Sequence, residues 1–404
     1  MRGSKYLPLI LLRVAPIFAQ AVFLALLLTF LGVQTTGRVA FFLAGLSVFR
    51  GLGSLGLDLE VLRVSSRSVD SNGMLSRTLL RGATRKALCF SFISVVVTVL
   101  AGLIFPHVQS ELLAIAAGGF FGPTVSVLVS FLRPSQHVIK SQAIDAIGTA
   151  LFPALACSLL TFVKGGSLIN FAIIFSACTL LSVVILAFLA RQSSSTSFTG
   201  EEVQLKSLRT NAPAQVLVAA NSRLPVIATG LFSNPAVVTY VDLGSKIQMI
   251  GATVAWLFGV IQSPTYARDG DFLSRSSLKL IAKSAKWSCF ATVLACVVLS
   301  SVAIPFAENF QLDSQKLVQV VIAFTFVAIT ESWFVSAGYG LAMTRQSTVI
   351  VISVAAQITI SLVGIFLAAG QLLLISEILL LSAGVRLVLV LMLTRKEKLD
   401  DNKA

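Results

Sequence analysis

Acidic residues are scarce in this 404-residue chain: 17 Asp and Glu stand against 31 Lys and Arg, and charged residues make up only 12%. A soluble domain carries about twice that share, so there is too little polar surface to clothe a water-soluble protein of this length. Cysteine is also sparse. Cys89, Cys157, Cys178, Cys289 and Cys296 all fall in apolar stretches without CxxC spacing, which leaves them as small buried hydrophobes and excludes a disulfide or thiolate-metal framework. The two histidines, His107 and His137, lack metal-ligand spacing. No Walker A sequence is present, so nucleotide-driven work would need a partner. No cofactor is expected.

What the chain has instead is apolar length. Hydrophobic residues make up 56%, mean hydropathy is +0.91, and the apolar residues come in runs of about 20, enough to cross a hydrocarbon core. The runs lack period-two alternation, so they predict helices rather than a barrel. Twelve are predicted, at about 7–31, 39–62, 88–106, 112–131, 143–163, 168–190, 212–232, 236–261, 287–305, 317–341, 347–369 and 371–394. Ala19-Gln20-Ala21 imitates a cleavage site, but Arg13 and Pro16 interrupt the apolar region before it, so the first span is expected to stay uncleaved.

An even number of spans puts both termini on one side. Of the 31 Lys and Arg, five lie inside spans, 23 in connections on the terminal side, and 3 (Arg38, Lys164 and Lys316) opposite. That asymmetry makes the terminal side cytoplasmic, and it accounts for the net charge of +14 without nucleic acid. Long basic loops at 63–87 and 262–286 each follow the second span of a six-span half, the spacing of a parallel duplication. The expected organisation is a six-helix lobe at 1–190, a Ser/Thr-rich linker at 191–211, a second lobe at 212–394 and a tail at 395–404.

The five cations inside spans are Arg13, Arg50, Arg223, Lys246 and Arg386. A charge at the bilayer centre costs roughly 3 kcal/mol on insertion scales, so such residues normally face a bundle interior or a wet cavity. Ser47, Arg50, Ser54 and Asp58 recur at helical steps and share one face. Arg13, near Pro16 and Gln20, lies close enough to the interface that snorkelling and a cavity role both stand. Asn221, Ser222 and Arg223 precede Pro225, which loosens its helix.

Asp242 and Lys246, on a stripe with Thr239 and Thr253, have the spacing of an intrahelical ion pair. That pair either eases insertion or touches substrate or a coupling ion. Glu331 and Glu377 each either meet an arginine from another helix or carry a proton, and Arg386 points away from Glu377. Gly118, Gly122, Ser126 and Ser130 form a small-residue ridge for close helix packing, with Pro123 bending the helix. Trp287 is expected at the cytoplasmic interface.

With Leu31-Gly32, Gly37, and Ser54-Leu55-Gly56-Leu57-Asp58 followed by Leu62-Arg63, the chain resembles Wzx-type polysaccharide flippases of the MOP superfamily. Asn221, the Tyr240/Lys246 spacing and Pro264 extend the resemblance into the second half. Thr36 stands where a tyrosine often precedes the glycine, and the usual acidic partner near Asn221 is replaced around Arg223. The resemblance implies two six-helix lobes around a central cavity, as in MATE transporters. It implies translocation of undecaprenyl-diphosphate-linked oligosaccharide from the cytoplasmic to the periplasmic leaflet of a bacterial inner membrane by alternating access. The product would be O-antigen or another surface polysaccharide, with a polysaccharide polymerase and a chain-length regulator as partners.

On that reading Arg50 and Arg223 are the diphosphate clamp, because a guanidinium fork suits phosphate oxygens. Arg13, Lys246 and Asn221 assist, and Asp242, Glu331 and Glu377 are the candidates for H⁺ or Na⁺ coupling. Two alternatives remain. A MATE-like drug or cation antiporter should have an acidic, aromatic cavity, against which the arginines argue. A polysaccharide polymerase should carry a long periplasmic loop, and the longest outer loop here is about 306–316.

Overall fold

A backbone crossing hydrocarbon must satisfy its own polar groups, and this chain does so as α-helix along most of its length. The computed structural model describes residues 7–67, 74–135, 137–164, 166–195, 217, 220–221, 223–246, 248–249, 253, 275–303, 307, 312–343, 347–368 and 370–401. Among the described residues, eight helices are long and apolar enough to span a membrane. The architecture is the expected all-α polytopic one. The chain divides into two compact units: Met1–Leu31 with Arg38–Ala220, and Gly32–Gly37 with Asn221–Ala404.

In the first unit, α1 runs from Leu7 to Ser54 and covers two predicted spans. In place of the loop expected between residues 31 and 39, the helix bends at Gly32, whose φ of 78° is open to glycine at little cost. The second predicted span also ends early. Leu55 (φ 44°) and Gly56 (φ 75°) turn the chain after Ser54, and α2 (Leu57–Arg67) restarts with Asp58 and Glu60 in its first turn, where acids complement the helix dipole. Asp58 therefore belongs to a different helix from Arg50. Leu57, Val61 and Val64 of α2 bury in one core with Leu79, Ala83, Leu128, Phe131 and Leu186.

Helix α3 (Arg77–Ile104) begins well before residue 88, capped by Ser76 Oγ, which accepts the Leu79 N–H. Leu75–Ser76 (β1) pairs in parallel with Ser194–Ser195 (β2). The predicted span 112–131 is two helices, α4 (Gln109–Gly119) and α5 (Gly122–Leu132), separated at Phe120 and Phe121. Pro123 sits in the first turn of α5, where it needs no N–H partner, rather than bending a continuous helix. Then follow α6 (Val138–Ala146), a π-turn (Ile147–Leu151), α7 (Phe152–Lys164) and α8 (Leu168–Gln192). Phe92, Ile93, Val96, Val97, Leu100 and Leu103 make an exposed apolar face on α3, as lipid contact requires.

The second unit contains α9 (Leu224–Phe232), α10 (235–246), α11 (Arg275–Ala303), α12 (Ser314–Met343), α13 (Ser347–Leu367) and α14 (Leu372–Asp401). Helix α12 packs against α11, α13 and α14, and α9 packs against α13. Trp287 lies within α11 rather than at its start, exposed and edge-on to Phe290. Gly32–Gly37 is grouped with this unit, where Thr239 Oγ1 donates to the Val33 carbonyl at 2.7 Å. A Cβ on Gly37 would lie 1.7 Å from the Pro235 carbonyl oxygen, so only glycine allows that approach.

Ahead of α12, the Asp313 carboxylate accepts the Gln315 and Lys316 backbone N–H groups. The Lys316 N–H, then the Lys316 ammonium, hold that carboxyl below the ordinary carboxylate range against a smaller opposing effect of burial. The Asp313 N–H donates to Tyr240 Oη at 2.8 Å, tying α10 to the start of α12.

Candidate functional site

Arg50 lies on α1 where the chain has no local counter-ion, so its partners come from other helices. Its Nη1 is 2.8 Å from Asp145 Oδ1 and donates to Thr149 Oγ1 at 3.3 Å. Its Nε donates to Ser126 Oγ on α5 at 2.6 Å. Gly122, one turn before Ser126, makes this possible: a Cβ there would meet Arg50 Cβ at 3.3 Å. The small-residue ridge thus brings α5 close to α1 and also supplies a ligand to the guanidinium. The Arg50 and Asp145 side chains keep 27% and 19% of their surface, so the pair is only partly buried.

The second unit holds two further charge clusters. In the first, Arg386 Nη1 on α14 donates to Glu331 Oε1 (2.8 Å) and Oε2 (3.0 Å) on α12, and to Gln357 Oε1 (2.9 Å) on α13. Gln357 Nε2 donates back to Glu331 Oε1 at 3.0 Å, and Asn221 Nδ2 donates to Gln357 Oε1 at 3.2 Å. The guanidinium carbon lies 4.1 Å from the Phe334 ring centre, a cation–π distance. Among the described residues one plus charge meets one minus charge in a buried network, and Arg386 Nε is buried without an acceptor.

The second cluster is not balanced. Asp242 and Lys246 on α10 form the expected intrahelical pair, Nζ to Oδ2 3.4 Å, both buried. Arg223, at the start of α9, is 6% exposed and lies within electrostatic range of both. Its Nη1 is buried with no acceptor among the described residues. Asp242 Oδ2 has only the ion-pair contact with Lys246 and no hydrogen bond among the described residues, while Oδ1 accepts from Ser245. Two cations and one carboxylate leave a surplus of one positive charge in this cluster among the described residues.

The residues singled out by sequence therefore separate. Arg223, Asp242 and Lys246 are brought together. Asn221 instead joins the Arg386 network, as does Glu331. Glu377 is exposed and has no ion pair among the described residues. The Arg13 side chain lies outside the described residues, as do Ser222 and Pro264. Sequence reading missed Asp145, Thr149 and Gln357. The available signal was that an acid at the head of an otherwise apolar span, 143–163, is as costly as the cation it pairs with.

The sequence matches no protein-family model and no curated protein. Its fold does match solved structures. The lipid II flippase MurJ in an inward closed conformation aligns with a TM-score of 0.69 at 11% identity, over 96% of this chain and 87% of that one. An inward-facing multidrug resistance MATE transporter of the MOP superfamily aligns with a TM-score of 0.63 at 12% identity, over 96% and 99%. A MOP-superfamily transporter from Pyrococcus furiosus, described as having a binding pocket of reverse polarity, aligns at 0.53 and 13% identity, over 97% and 96%. The likeness establishes a multi-pass membrane fold shared with MATE transporters and MurJ.

Proposed function

We propose that this chain is a flippase carrying undecaprenyl-diphosphate-linked oligosaccharide repeat units from the cytoplasmic to the periplasmic leaflet, for O-antigen or another surface polysaccharide. The observation that carries the reading is Arg223: a buried guanidinium, its Nη1 without an acceptor among the described residues, in electrostatic range of a second buried cation, Lys246. A bilayer-spanning protein tolerates such a surplus where it meets an anion, and a diphosphate headgroup supplies one on the end of a lipid. Arg223 and Lys246 are the phosphate-binding cations of the second unit, and Arg50 is that of the first. Arg13 and Asn221 act at the margins, the latter through its hold on Gln357.

A lipid-linked substrate is also what the MurJ structure's name states for that protein. The inside-negative potential favours outward movement of each anionic charge by about 2.3 kcal/mol per 100 mV. H⁺ or Na⁺ entering through Asp242, Glu331 or Glu377 is the other source of drive. Both termini lie in the cytoplasm.

The MATE-like reading, export of an organic cation, requires a site dominated by carboxylates, whereas the clusters here are neutral or positive. The deciding experiment is a deletion strain carrying Arg223→Gln. Membrane insertion persists, surface glycan disappears and lipid-linked repeat units accumulate on the cytoplasmic leaflet. Wild-type glycan export by this variant would overturn the assignment, and drug sensitivity with intact glycan would favour the antiporter.

A further inference from the structure

Arg50 and Arg223 are not in the same condition. Arg223 is surplus charge, whereas Arg50 already holds an anion of the protein's own. We propose that Asp145 is an internal competitor of the substrate, a positioning residue that occupies Arg50 until a phosphate displaces it. This inference rests on the flippase reading and adds a step to it: at Arg50 the headgroup takes the place of Asp145.

Three observations carry the exchange. The carboxylate engages Arg50 through one oxygen on one nitrogen, Oδ1 to Nη1 at 2.8 Å. No acceptor among the described residues reaches Nη2, so the paired edge that binds phosphate in a fork is only half used. The pair also keeps 27% and 19% of its side-chain surface, against 9% and 8% for Arg386 and Glu331. The first pair is therefore the more accessible of the two.

The third observation is the backbone beside Asp145. Two residues on, the helix widens into the π-turn Ile147–Leu151, a feature that concentrates at functional sites because it eases local rearrangement. Thr149 sits inside this turn and donates to both the Asp145 carbonyl (2.7 Å) and Asp145 Oδ1 (3.2 Å), while also accepting from Arg50. The hydroxyls of Ser126 and Thr149 therefore keep the guanidinium in place when the carboxylate leaves. Asp58 on α2 is the other acid within electrostatic range of Arg50. On α5 and the π-turn the groups facing it are hydroxyls, so no second carboxylate there takes over from Asp145.

The test is binding of farnesyl diphosphate to the purified full chain in detergent, with farnesol as the uncharged control, followed by transport in proteoliposomes. Asp145→Asn removes the competitor and keeps the shape. It is expected to tighten binding about tenfold and to slow turnover, because release then lacks its displacing group; Asp145→Glu restores both. The gain vanishes in Arg50→Gln/Asp145→Asn, a charge-balanced pair of changes. In the wild type, farnesyl diphosphate should speed hydrogen exchange across 145–151, a readout that holds even where a variant fails to fold.

A purely structural ion pair would give an Asp145→Asn variant with unchanged or weaker binding and no ligand effect on exchange, which overturns the proposal. If the wild type binds farnesyl diphosphate no better than farnesol, the flippase reading itself falls. If inorganic diphosphate alone shows the Asp145→Asn gain, the exchange at Arg50 stands and the lipid substrate is lost.

Discussion

The second unit offers its own comparison, two buried charge clusters that each contain an arginine and a carboxylate. Around Arg386, a carboxylate and two amides surround the cation, and charge sums to zero. Around Arg223, among the described residues, charge sums to plus one and a guanidinium nitrogen has no acceptor. A buried charge is tolerable when its partners satisfy it, and costly otherwise. The first cluster therefore contributes to holding α12, α13 and α14 together, and the second is a cost the fold carries for a ligand. The two should respond to mutation in opposite directions.

The largest expected effect is on transport at Arg223. Replacing it by Gln removes an uncompensated charge, so the thermal midpoint of the detergent-solubilised protein should rise by roughly 2–4 °C while glycan export stops. A variant that is both less stable and inactive would mean that Arg223 is a structural ion, and the contrast between the clusters would dissolve. Second is Glu331→Gln, which strands Arg386. The expected loss is roughly 3 kcal/mol of stability, read as a lower midpoint and lower membrane yield. Glu331→Leu combined with Arg386→Met should recover most of it. Recovery of export in that double variant would also show that Glu331 carries no coupling ion.

These clusters also mark how far sequence alone could reach. The apolar runs and the cations inside them were legible because both rest on local arithmetic, the length of a crossing and the price of a charge within it. Asp242 and Lys246 were legible for the same reason, being four residues apart. Arg386 and Glu331 are 55 apart, and Arg50 and Thr149 are 99 apart, so their meeting depends on which helices pack together. The breaks were hidden differently. At Leu55 the hydrophobic pattern runs on without interruption, and the turn is made by backbone angles that composition does not record; after Leu31 the polar run Gln34-Thr35-Thr36 marks a break, but not that it is a bend inside helix.

The smallest effect sharpens the comparison by separating two residues of one matching motif. Tyr240 and Lys246 share the spacing that suggested a resemblance, yet the structure gives them different work. Lys246 adds charge to the Arg223 cluster. Tyr240 accepts the Asp313 N–H at 2.8 Å and so fixes the start of α12. Tyr240→Phe deletes that one acceptor in a mostly buried setting, a change of about 1 kcal/mol. Hydrogen exchange should quicken at 312–316, with the midpoint only slightly lower and glycan export intact. Lys246→Met should do the reverse, leaving exchange at 312–316 unchanged while lowering export. If Tyr240→Phe abolished export with no change in exchange or midpoint, the phenol would belong to the substrate site rather than the scaffold. The surplus-charge cluster would then be larger than the three residues assigned to it.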